Sequence, residues 1–337
     1  MRIALDAMGG DHAPREIVAG AVAAAPEMHG KILLIGRKGE IEKVHPGAFP
    51  KQIEIVEAPE VVEMHEEPVS AVRRKKSSSL VMGAEFVKNG EADAFVSAGN
   101  TGAVTAAAHL MWKTLPNIAR PAIATVIPCK TGCFVLLDSG ATVDAEPHHL
   151  YEFAIMGSVY AESVLRLKNP KVALLNIGEE PSKGNALTKA AYKLLDQKLP
   201  NFVGNIEGKN LFEGKVDVVV CDAFVGNVLL KTAQGLGTFL IDLVKESAPK
   251  NPLLRLPLIF LKGGINRMRK RMDYAEYGGA PLLGVDGICF ICHGHSNAKA
   301  IKNALILAQR GHDMHLVSKI TEEAARAKEA SEGSLGA

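Results

Sequence analysis

The sequence is poor in the features that mark several large protein classes. Aromatic residues make up 5% of its 337 positions, with a single tryptophan, so few platforms exist for stacking single-stranded bases. Lysine and arginine exceed aspartate and glutamate by 39 to 37, a net charge of +2. General nucleic-acid binders carry a strong basic excess, so no nucleic-acid partner is expected. No stretch reads as the ~20 apolar residues of a membrane span. Asp6 cuts short the only early apolar run, so no signal peptide is expected either. The five cysteines are odd in number and scattered, which suits a reducing, cytoplasmic setting better than a disulfide framework.

Metal and nucleotide signatures are also missing. Cys289-Phe290-Ile291-Cys292-His293 has the form of a haem-attachment run, but it lies inside an apolar strand-like segment. Cys129 and Cys133 are badly spaced to complete a zinc site with it, so no metal and no cofactor are expected. The chain has no G-x-G-x-x-G and no P-loop lysine, which speaks against a dinucleotide-dependent dehydrogenase.

What the chain does have is core material in quantity: 47% of residues are hydrophobic and 23% charged. That supports one large soluble domain or two tightly joined ones. Strand-like runs at 32–35, 53–56, 94–97, 122–127, 134–137, 172–177, 216–221 and 287–292 alternate with helical patterns. The alternation predicts an α/β fold of βαβ units around a mostly parallel sheet. A single domain over 1–319 is expected, followed by an Ala-, Glu- and Gly-rich tail, 320–337, that frays.

Four strand-like runs end in the same kind of corner, rich in Gly, Asp, Asn and Ser, with a helical segment following. The corners are Asp6–Asp11, Ser97–Gly102, Asn176–Asn185 and Asp222–Asn227. Such corners gather at the carboxyl edge of a parallel sheet, where ligands of open α/β sheets bind. Helix starts there favour anions. The corners at Ser97, Asn176 and Asp222 are expected to line one pocket. In Ser97-Ala98-Gly99-Asn100-Thr101-Gly102 two hydroxyls, an amide and glycine-freed N–H groups can converge on a phosphate; the plain alternative is a tight turn with a polar cap. Lys183, at a Gly-flanked corner, can neutralise phosphate or an oxyanion, or be an ordinary solvated lysine. Glu179 and Glu180 are either bases or an acidic surface. Asp222 is a ligand or a turn residue, and Asn227 a ligand or a helix cap. Cys221 reads as a buried strand end. Gly279, in Tyr277–Gly284, sits where an elongated ligand could lie against backbone or where a plain loop connects two elements. His293 and His295 are acid–base candidates or solvated side chains.

One region breaks the rhythm. Residues 228–244 keep helical apolar spacing, then Pro249, Pro252 and Pro257 interrupt a greasy tip containing Leu254, Leu256, Leu258 and Ile259. Lys262, Arg267, Arg269, Lys270 and Arg271 follow. Residues 228–274 thus read as a protruding helical hairpin, either a peripheral membrane contact or a dimer-forming element.

Taken in order, Ile3–Pro14, Ser97–Gly102, Leu175–Gly184, Gly204–Gly208, Phe224–Leu230 and Gly278–Gly284 resemble the blocks of the acyl-carrier-protein:phosphate acyltransferase (PlsX) family, over about residues 1–315. The resemblance implies a Rossmann-like α/β/α sandwich and a homodimer built partly through the hairpin. It also implies a cytoplasmic protein held peripherally at the membrane. Members convert long-chain acyl-ACP and inorganic phosphate to acyl phosphate, which a glycerol-3-phosphate acyltransferase uses downstream in phospholipid synthesis. A phosphotransacetylase-like enzyme and a non-catalytic membrane-surface scaffold are the alternatives. By resemblance Lys183 and Asn227 carry the chemical step, and Ser97, Asn100, Thr101 and Gly102 hold phosphate. Asp6, Gly9, Gly10, Asp222, Gly279 and His293 fall to substrate binding. Arg73, Arg74, Lys75 and Lys76 are candidates for docking the acidic carrier protein. Thr142, Ala223, Ser77 and His295 stand where the family pattern usually has Asn, Gly, Asp and Ser.

Overall fold

The computed structural model describes residues 1–246 and 274–333. Within them the strands form two sheets where the sequence suggested one. The first has seven strands: β1 (Arg2–Asp6), β2 (Lys31–Gly36), β3 (Ile53–Glu57), β4 (Ala94–Ser97), β5 (Ala122–Ile123), β11 (Ala280–Leu283) and β12 (Ile288–Ile291). Their order is β3-β2-β1-β4-β12-β11-β5. The second holds β6 (Thr125–Cys129), β7 (Gly132–Leu137), β8 (Val172–Asn176), β9 (Phe202–Glu207) and β10 (Val218–Val220), in the order β6-β7-β10-β8-β9.

The central strands of each sheet are parallel: β2-β1-β4-β12 in the first, β7-β10-β8-β9 in the second. They are buried along nearly continuous apolar runs such as Ile3-Ala4-Leu5 and Val218-Val219-Val220, as strands covered on both faces must be. The chain passes between sheets where β5 runs into β6, only Ala124 separating them. The strand-like run continues through Ala124, so 122–127 reads as one strand in sequence although its two parts pair in different sheets.

Helices α1 (Arg15–Ala24), α2 (Lys38–Val44), α3 (Pro68–Arg74), α4 (Ser79–Lys88), α5 (Thr101–Trp112), α6 (Pro147–Ser163) and α7 (Ala186–Lys198) follow their strands. One core joins α1, α6 and the late helix Ala298–Asp313 beneath both sheets. The α1 helix approaches that late helix so closely that a methyl on Gly20 would sit 2.5 Å from Ile301 Cβ. A second core lies under α3, α4 and α5.

Two expectations are corrected. The final segment does not fray from 320: a helix runs Leu316–Gly333, and Leu316, Ile320 and Ala324 are buried at 3%, 2% and 3% exposure. Three apolar residues at helical spacing outweigh the fraying suggested by tail composition. In addition, α8 (Ala223–Glu246) contains a stretch, Ala223–Leu243, long and apolar enough to cross a membrane by length and composition, with mean hydropathy 1.2. Its Gly, Thr and Gln residues break the run that sequence inspection looks for. Leu236, Phe239, Leu240 and Leu243 of α8 are exposed. The proline-rich tip with Leu254, Leu256, Leu258 and Ile259 lies outside the described residues.

Candidate active site

The three parallel strands β1, β4 and β12 end together, and their corners are knitted by buried hydrogen bonds. Asp6, 1% exposed, accepts from the Ser97 hydroxyl at 2.7 Å and from the Met8 N–H at 3.1 Å. The Ser97 oxygen accepts in turn from the Gly99 N–H at 3.0 Å. Gly9 closes against this pair: a methyl there would stand 2.5 Å from Asp6 Oδ2 and 2.7 Å from the Gly99 nitrogen. The Asp11 N–H donates to the Gly294 carbonyl at 2.8 Å, tying in the third corner. Burial raises the pKa of Asp6, with Ser79, Ser97 and two backbone N–H groups opposing.

Asp6, Gly9, Gly10, Ser97 and Gly99 are therefore brought together, but as a packed brace. The side chains of Ser97 and Asn100 do not converge on a vacant anion position. Asn100 donates to the carbonyls of Met64 and Glu66, both at 3.0 Å, and caps α5 by accepting from the Ala103 N–H at 3.1 Å. A capping amide whose two N–H groups are spent on carbonyls has no donor left for an anion. What the corner presents outward is Thr101, which is exposed, and the first N–H groups of α5 at Thr101 and Gly102, which make no hydrogen bond among the described residues. Such N–H groups favour an anion.

Beside this corner lie the histidines. His295 Nδ1 is 2.9 Å from Asp11 Oδ2, and the His293 and His12 rings lie 5.4 and 6.0 Å from its ring. Partial desolvation lowers the His293 pKa; His295 and Lys231 add to this, and Asp11 opposes it. Lys231 belongs to α8, so its charge is the one that helix brings to bear on His293. Gly279 is not in an open loop: β11 begins directly after it, and its Cα packs where a methyl would meet Cys292 Sγ at 3.1 Å.

In the second sheet, β8 and β10 are neighbours, paired Leu174 to Val220. Their corners carry Lys183 and Asn227, so the corners at Asn176 and Asp222 share an edge while Ser97 belongs to the other sheet. The Asn176–Asn185 loop doubles back on itself. Asn176 Nδ2 donates to the Lys183 carbonyl at 3.1 Å, and Gly184, at φ +101°, fits where a methyl would strike Thr188 Oγ1 and Asn176 Oδ1. The Lys183 side chain is exposed and forms no ion pair among the described residues. Glu179 is exposed and accepts from the Asn210 amide at 2.7 Å.

Asp222 caps α8, accepting from the Val225 N–H at 2.9 Å. Asn227 is thus past the cap, in the helix proper, half-buried, and its amide makes no hydrogen bond among the described residues. Cys221 is buried and its thiol pKa is pushed far up by burial, so it closes the strand and does not serve as a nucleophile. Cys289 and Cys292 are buried free thiols, the latter pushed up to about 12 by burial. Among the described residues no three His, Cys, Asp or Glu side chains are grouped to hold a metal ion.

Sequence reasoning passed over Asp138. It follows β7 and is fully buried, accepting from four backbone N–H groups. The signal was present: Phe134–Leu137 runs into Asp138-Ser139-Gly140 with the same strand-to-corner composition as the other four.

Comparison with known proteins accords with this geometry. Residues 1–318 match the family model described as fatty acid synthesis protein. A phosphate acyltransferase of Desulfitobacterium hafniense is 52% identical over 97% of this chain and 98% of its own length. One of Heliobacterium modesticaldum is 50% identical over 96% and 97%. Among solved structures, a phosphotransacetylase from Streptococcus pyogenes aligns with a TM-score of 0.62 over 98% of this chain and 94% of that one. Its 18% identity speaks to the shared α/β fold alone. With half its residues identical to those of enzymes that transfer acyl groups, and a family model spanning almost its whole length, the chain belongs to the fatty acid synthesis protein family of acyltransferases.

Proposed function

We propose that the chain transfers a long-chain acyl group from the thioester of acyl carrier protein to inorganic phosphate, releasing the carrier thiol and acyl phosphate. The observation that carries this reading is that two uncommitted side chains, Lys183 and Asn227, stand on the segments that follow adjacent strands, β8 and β10. Phosphate, held by Thr101 and the opening N–H groups of α5, attacks the carbonyl directly. Lys183 offsets its charge, and the Asn227 amide donates to the tetrahedral oxyanion. When that intermediate collapses the C–S bond breaks and the thiolate takes a proton from solvent. Catalysis is then positioning and electrostatics without an acyl-enzyme. The electrostatic influence of Lys231, on α8, upon His293 supports a reading in which the two sheet edges serve one substrate.

The carrier's docking surface is not the whole run Arg73–Lys76, because Lys75 turns inward to Glu66 and the Val61 carbonyl. Arg73, Arg74 and Lys76 remain. The exposed apolar residues of α8 support a homodimer contact there, and the apolar and basic residues in the sequence 249–271 support a contact with the membrane surface. Acyl phosphate would pass to a glycerol-3-phosphate acyltransferase.

Two variants test the chemistry. Removing one oxyanion donor commonly costs ~10²–10³ in turnover, so Asn227→Ala and Lys183→Ala should be folded and nearly inactive in phosphate-dependent acyl-ACP consumption. Near-normal turnover in either removes that residue from the step. For assembly, Leu236→Glu combined with Phe239→Glu should yield monomers in sedimentation; an unchanged assembly takes α8 out of the interface.

A further inference from the structure

The loop after β7 grips the start of α8 from two sides. Asp138 Oδ1 accepts from the N–H groups of Ile123 at 2.9 Å, Gly140 at 2.9 Å and Ala141 at 3.0 Å. Oδ2 accepts from Thr142 at 2.6 Å and from Ala141 at 3.2 Å. Ile123 belongs to the seven-stranded sheet, so this one carboxylate ties both sheets together. At the far end of the loop the Thr142 carbonyl accepts from the N–H of Ala223, the first residue of α8, at 3.1 Å. The Thr142 hydroxyl anchors that end to the Pro121 carbonyl at 3.0 Å. At the near end the Asp138 carbonyl fills the space beside Gly226, 1.9 Å from where a Cβ would be. Asn227 is the next residue, and no side chain among the described residues holds its amide.

We propose that Asp138 is the positioning residue for Asn227: its carboxylate fixes the loop whose two ends set the first turn of α8, and so sets where the amide points. The inference rests on the acyl-transfer reading for the role of Asn227. An amide without a partner of its own takes its aim from the backbone beneath it. A misplacement of about 1 Å in a catalytic group can cost ~10²-fold in rate, so the support matters as much as the group.

Asp138→Asn is a selective probe. Its oxygen can keep the Ile123, Gly140 and Ala141 donors, while its new NH₂ meets the Thr142 N–H donor to donor. The disturbance falls on the residue that holds Ala223. We expect folded protein with kcat reduced by about 10–100-fold and KM for phosphate and thioester nearly unchanged. Adding Asn227→Ala to Asp138→Asn should cost far less than Asn227→Ala alone, whereas the cost of Lys183→Ala should persist in full. A folded Asp138→Asn enzyme with normal kcat, or full additivity with Asn227→Ala, would overturn the proposal. Should Asp138→Asn not fold, Thr142→Val serves, since it keeps the backbone N–H and gives up only the anchor to Pro121; the same kcat loss and non-additivity are expected, and their absence overturns the proposal. If Asn227→Ala alone is fully active, the role of Asn227 fails separately. The backbone amide signals of Ala223–Asn227 then decide: shifts in Asp138→Asn support the positioning, and unmoved signals refute it.

Discussion

The Ser97 hydroxyl donates to Asp6 Oδ2 across 91 residues of sequence, at 2.7 Å, inside the closed end of the first sheet. The bond ties the ends of β1 and β4 and leaves neither side chain available to a ligand. The glycines beside it, Gly9 and Gly99, permit the two corners to touch.

Ser97→Ala should therefore act on stability before chemistry. It strips one donor from a buried carboxylate, a loss of about 1–3 kcal/mol, read as a lowered urea midpoint. The Ser97 bond also holds the Asp6 pKa down against burial, so the variant should raise it further. A carboxyl whose folded pKa exceeds its unfolded one gives most stability below the unfolded pKa. That stability falls as pH rises through the folded pKa. The variant should carry this fall on to higher pH; an unchanged stability–pH curve would show that the Ser97 bond does not hold the Asp6 pKa down.

His293 should be neutral at pH 7, because desolvation, His295 and Lys231 lower its pKa below the ordinary value of about 6.5. The stability linked to it is present above that unfolded pKa. It is lost as pH falls, when the unfolded chain takes up the proton first. Lys231→Ala removes one of the lowering charges, so the His293 ring signals in NMR should titrate at higher pH. An unmoved titration would mean that α8 does not approach the first sheet's edge.

Ile320→Ala should cost about 2–5 kcal/mol, the range for a buried large-to-small change, measured by denaturant unfolding. A frayed tail would make the substitution neutral.

Much of the strand and helix pattern was legible because parallel strands and amphipathic helices write their burial into local spacing. The four corners were legible for the same reason: each follows an apolar strand. The division into two sheets was not, since Ile123 and Thr125 read as one run and only hydrogen-bond pairing separates them. Composition also misjudged the last helix, whose Leu316, Ile320 and Ala324 find a core that local sequence cannot show. At the site, sequence could say that Ser97 and Asn100 are polar at a corner, but not that Asp6, Met64 and Glu66 would claim them. The Asp138 corner carries the same composition as the other four, but that its carboxylate is spent on backbone N–H groups is visible only in the structure.

The most direct test of the account is phosphate-dependent acyl transfer itself. The protein is incubated with a long-chain acyl-ACP and radiolabelled inorganic phosphate, and released thiol and labelled acyl phosphate are counted together. The account predicts one acyl phosphate per thiol, no thiol release without phosphate, and no acyl group trapped on the protein. Thiol release that proceeds without phosphate, or an acyl-enzyme isolated in its absence, would contradict it.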